Sequence, residues 1–75
     1  MVRLNRRITV DGESIPLKPV ILMYLRSIDN AMPSKEDFEA STVRGETWKL
    51  QTTSESLWIT TDDKTLETYI ALKFS

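Results

Sequence analysis

The sequence predicts a small α+β fold. In order, it has a short N-terminal strand or hairpin, a central helix, a short helix, a β-hairpin and a C-terminal helix. Three observations carry this. Asp11-Gly12 is a strong two-residue turn signal after a short β-branched run. Leu17, Ile21, Leu25 and Ile28 recur at helical spacing behind Pro19. Two runs rich in β-branched and aromatic residues, Thr47 to Thr52 and Ser56 to Thr60, flank Thr53-Ser54-Glu55.

At the N-terminus, Arg7 to Val10 suits a short strand with Ile8 and Val10 on one face. A second extended piece, around Ser14 to Leu17, pairs back across Asp11-Gly12, and Pro16 restricts it to an edge. A helix begins near Lys18, and Pro19 fits its first helical position, where a missing N–H costs nothing. Val20 and Tyr24 widen the apolar stripe, while Leu22 and Met23 lie off it. A helix this apolar is expected at the centre, covered on two sides. A buried strand over Val20 to Leu25 is the competing reading.

Asp29 to Pro33 reads as a turn, and Ser34-Lys35-Glu36-Asp37 as a capping box. The helix that follows, Lys35 to about Ala40, is expected to touch the core through Phe38. In the hairpin, Trp48 and Leu50 share one face, and Leu57 and Ile59 share another, opposite Trp58. The last segment reads as a helix from Asp63 to Phe74, capped by Thr61 or Asp62, with Leu66, Tyr69, Ile70 and Phe74 on one side. Alternation through Leu66, Thr68, Ile70, Leu72 and Phe74 keeps a strand open as the alternative.

Composition narrows function. Seventy-five residues suit one domain, 1–75, which buries only about 60% of its unfolded surface. There is no Cys and no His. That removes disulfides, thiolate and imidazole metal ligands, the cysteine nucleophile and the commonest general base. Glu36-Asp37 and Asp62-Asp63 sit at helix starts, where capping accounts for them. The two glycines, Gly12 and Gly45, are too far apart for a phosphate-cradling loop. A non-catalytic domain without cofactor or metal is expected. The first seven residues carry no apolar signal-peptide core, and Val20 to Leu25 is too short to span a bilayer. No membrane association and a cytoplasmic location are therefore expected.

The net charge is −1, whereas most nucleic-acid-binding domains carry a positive excess. Arg3, Arg6 and Arg7 read as a solubilising end beside an edge strand. Trp48 and Trp58 read either as a roof over a small core or as partner contacts, through base stacking or interface anchoring.

One resemblance bears on function. The segment Ile8-Thr9-Val10-Asp11-Gly12-Glu13-Ser14-Ile15-Pro16-Leu17-Lys18-Pro19, continuing to Leu22 and Leu25, resembles the winged-helix DNA-binding (effector) domain of OmpR-type response regulators. Leu17-Lys18-Pro19 stands where that family has Leu-Thr-Pro, and Ser34-Lys35-Glu36-Asp37-Phe38 looks like its Ser-Arg-Glu-Glu-Leu. Asp63-Lys64-Thr65-Leu66-Glu67-Thr68-Tyr69-Ile70-Ala71-Leu72-Lys73 is similar to its recognition helix. Thr42-Val43-Arg44-Gly45, then Trp48-Lys49-Leu50, resembles its wing, placed here before the last helix rather than after it.

The resemblance implies a small winged-helix-like domain acting as a DNA-binding transcriptional regulator. Its last helix would enter the major groove. Thr65, Thr68 and Tyr69 would contact bases or sugars, and Lys64, Lys73 and Arg44 would contact phosphates. The plainer reading has Tyr69 in the core and both lysines solvated. The rival function is a protein-binding module or inhibitor, such as a small phage or accessory protein, that docks through Trp48 and Trp58 on the hairpin. A second copy of the chain, making a homodimer, is a related partner.

Overall fold

The computed structural model describes residues 1–74. Six strands and three helices follow in the order β1 (Val2–Asn5), β2 (Arg7–Val10), β3 (Glu13–Pro16), α1 (Leu17–Ile28), α2 (Lys35–Glu39), β4 (Thr42–Arg44), β5 (Trp48–Thr52), β6 (Ser56–Thr61) and α3 (Lys64–Phe74). The chain is thus a small α+β domain whose strand pairs are all antiparallel. The main sheet runs β1-β6-β5-β4, and β2-β3 forms a separate hairpin.

Local chemistry explains most elements. The β2–β3 hairpin closes over Asp11 (φ 51°) and Gly12 (φ 82°), with Val10 opposite Glu13. Two consecutive positive φ values give the turn whose twist matches the paired strands. The α2 capping box is complete: the Asp37 amide donates to Ser34 Oγ, and the Ser34 amide donates to Asp37 Oδ2. Asp63, rather than Thr61 or Asp62, caps α3: its Oδ1 accepts from the Thr65 and Leu66 amides. Thr61 Oγ1 supports that cap by accepting from the Asp63 amide.

One face of the main sheet makes the core. Leu4, Val43, Trp48, Leu50, Leu57 and Ile59 point inward and join Leu17, Ile21, Leu22 and Leu25 of α1 and Leu66, Ile70 and Phe74 of α3. Helix α3 packs over β1 and β6. Helix α1 lies beside it, with Tyr24 stacked on Tyr69 at 5.3 Å between ring centroids.

Several expectations are corrected. Trp48, a candidate protein contact, is only 3% exposed. Its indole lies so close to Gly45 that a Cβ there would sit 2.0 Å from Trp48 Cε2, and the Arg26 guanidinium covers the ring at 5.2 Å. Leu57 and Ile59 share the core face with Trp48 and Leu50 because the antiparallel register sets Leu50 against Ile59. Phe38 is 41% exposed. Helix α2 is tied to the body by polar contacts instead: Lys18 Nζ donates to the Phe38 and Ala40 carbonyls, and Arg26 clamps Asp37. Leu22 replaces Ile28 on the buried stripe of α1, and Val20, Met23 and Ile28 remain exposed, so α1 is covered on one side rather than two. Tyr69 sits on the rim of the core side and not within it.

β1 lacked a sequence expectation, and β4 had only the likeness of Thr42-Val43-Arg44-Gly45 to a wing. β1 pairs with β6 and buries Leu4, so the basic N-terminus is itself an edge strand. β4 is the opposite edge and buries Val43.

Candidate functional site

The structure divides the sequence-derived candidates between two surfaces. On α3, burial of Leu66, Ile70 and Phe74 turns the remaining positions outward. Lys64, Thr65, Thr68, Tyr69 and Leu72 together form one open, nearly flat face of the helix. Lys73 flanks it, its Nζ 5.9 Å from the Tyr69 ring centroid. A neighbouring hollow between α1 and α3 is lined by Tyr24, Ile28, Asp63, Thr65, Leu66 and Tyr69. Burial pushes the Tyr24 phenol above its ordinary pKa, and Tyr69 and then Asp63 add to the effect. Glu67 lies on the other flank of α3. It accepts from the Met1 amine at 2.6 Å and lies 3.7 Å from Lys64 Nζ. These two cations hold its carboxyl below the usual carboxylate range, the Met1 hydrogen bond contributing most.

Arg44 does not join this face. It belongs to β4, the edge of the sheet farthest from β1, whereas α3 covers β1 and β6. Arg44 points outward on the face that no helix covers, and so does Trp58 of β6. The register sets that face. Arg3 lies opposite Trp58, Trp58 opposite Gln51, and Gln51 opposite Thr42. In the adjacent row Thr60 lies opposite Lys49, and Lys49 opposite Arg44. Trp58 is partly exposed, and Arg3 and Arg44 are exposed.

Arg3 and Lys49 were missing from the sequence-derived site. Lys49 was legible from parity alone, because it alternates with the apolar Trp48 and Leu50. Arg3 required knowing that Val2–Asn5 is a strand.

Among the described residues, no three His, Cys, Asp or Glu side chains gather to hold a metal ion. Asp37 and Asp63 are both occupied in helix capping. No helix among the described residues is long and apolar enough to cross a membrane. Comparison of the chain with protein-family models, with curated proteins and with solved structures found no match.

Proposed function

We propose that this chain is a non-catalytic binding domain that contacts duplex DNA through α3, as a small transcriptional regulator of winged-helix type. One observation carries the reading. Lys64, Thr65, Thr68 and Tyr69, the residues matching the resembled recognition helix, share one exposed face of α3, with Lys73 beside it. Hydroxyls and a phenol suit base edges and sugars, and flanking lysines suit phosphates. The test is a duplex mobility shift at low salt and again at physiological salt. A shift that weakens with salt and is lost in Lys64→Ala/Lys73→Ala is expected. Absence of any shift at low salt contradicts the reading.

A second reading, a protein-binding module, is favoured by one observation of its own. Tyr69 and Leu72 on α3, and Ile28 on α1, expose apolar surface, Leu72 being 79% exposed, and Ile28 and Tyr69 line one hollow between the helices. Such rimmed apolar patches mark protein interfaces. A stoichiometric complex, hetero- or homodimeric, that is lost in Leu72→Glu would select this reading over DNA. Trp58 remains a contact candidate under it, and Trp48 does not.

A further inference from the structure

We propose that the uncovered face of the β1-β6-β5-β4 sheet binds single-stranded nucleic acid, with Trp58 as a stacking platform and Arg3, Lys49 and Arg44 as phosphate contacts. The inference does not depend on the α3 reading; it concerns another surface and another form of nucleic acid.

Charge segregation is the first support. The chain has 11 acidic and 10 basic residues, yet no acidic residue lies on any of the four strands of this sheet. The three cations those strands do carry, Arg3, Arg44 and Lys49, all point away from the core. None of the three is in an ion pair among the described residues. Lys49 stands directly opposite Arg44. Like charges in that position weaken a sheet, and no ion pair among the described residues offsets them. An anionic ligand offsets them.

The aromatic ring is the second support. Trp58 is flanked across the sheet by Arg3 and Gln51, and lies diagonal to Lys49. Diagonal neighbours are about 7–8 Å apart, within reach of long side chains. A π-face amid cations that track a backbone is the arrangement that binds bases without regard to sequence. Gln51 and Thr60 add hydrogen-bonding groups on the same face.

Width decides between one strand and two. Four strands span three inter-strand gaps, roughly 14 Å before side chains are added. That exceeds the duplex major groove, about 12 Å wide. A four-stranded sheet is therefore too wide to enter that groove face-on, but it can lay an extended single strand across itself. The single ring on this face stacks one base while the cations follow the flanking phosphates.

The test uses the full chain and a fluorescently labelled oligothymidylate, followed by anisotropy at several salt concentrations. Binding is expected with a log–log salt slope of about −2, since each of three neutralised phosphates contributes roughly −0.7. Trp58→Ala is expected to weaken binding about tenfold or more. Trp58→Phe, which keeps a π-face, should retain most of the affinity, and Lys49→Gln/Arg44→Gln should flatten the slope to about −0.7. Polyglutamate should compete poorly, because it offers charge without bases. Absence of binding at low salt, equal affinity in Trp58→Ala, or equal competition by polyglutamate would overturn the proposal. Duplex binding by α3 is tested independently, with duplex DNA and the Lys64→Ala/Lys73→Ala variant.

Discussion

Trp48 and Trp58 lie on adjacent strands and on opposite faces of one sheet, and their surroundings could hardly differ more. Trp48 is wedged between the Gly45 backbone, the Arg26 guanidinium and the core. Trp58 has no helix over it and stands in a row with Arg3 and Gln51. The inner face is apolar and shared by two helices, whereas the outer face is polar, cationic and open. A tryptophan is thus assigned to fold or to recognition by strand parity, and the residue type alone does not decide it.

The largest effect should come from the inner face. Trp48→Ala is expected to destabilise the domain by about 4 kcal/mol, the usual cost of deleting a large buried aromatic. That is a large share of what a small domain has, and urea denaturation will measure it. Gly45→Ala sharpens the same point without touching the core side chain. Its Cβ would overlap the indole, and the forced displacement should cost about 1–3 kcal/mol.

Next in size is the Arg26 clamp that binds α2 and β4 to α1. Arg26 Nε and Nη2 donate to the two Asp37 carboxylate oxygens at 2.9 Å, and Nη1 donates to the Arg44 carbonyl at 3.2 Å. Arg26→Ala should cost about 2 kcal/mol, from lost charge-assisted hydrogen bonds. It should also loosen Trp48, since the guanidinium covers the ring. The clamp is pH-dependent. Arg26 first, and then the Ser34 amide, hold the Asp37 carboxyl below its ordinary 3.8. A carboxyl depressed in the folded state stabilises above its unfolded value, and that contribution is lost as pH falls through the folded one. Thermal stability should therefore drop on acidification below about pH 4, less steeply in Asp37→Asn.

The smallest effect on stability should come from Trp58→Ala, under about 1 kcal/mol, as for a cross-strand pair on a solvated face. A cost approaching that of Trp48→Ala would break the comparison, because it would make Trp58 a structural residue.

How much of this was legible follows from the range of the interactions. The β2–β3 turn, the α2 capping box, the β5–β6 hairpin and α3 are encoded within a few residues each, in Asp11-Gly12, Ser34 to Asp37, the alternation around Trp48 and the 66, 70, 74 spacing. β1 is not. Its inward positions are only Val2 and Leu4, and its partner β6 begins at Ser56, far along the chain. Missing β1 hid Arg3 and with it the row through Trp58. β4 has a single buried residue, Val43, so its own pattern was too short to read and only its likeness to a wing pointed to it. The misplacement of Phe38 has another cause: α2 is one short turn fastened by Lys18 and Arg26, so its apolar residue was not needed to anchor it.

The division of labour between the two faces is tested most directly by tryptophan emission in two single-tryptophan proteins, Trp48→Phe and Trp58→Phe, titrated with unlabelled oligothymidylate at low salt. In the protein retaining Trp58, emission should be quenched to saturation as bases stack on the ring. In the protein retaining Trp48, emission should hold constant through the same titration. Quenching confined to Trp48, or none at either position, would contradict the account.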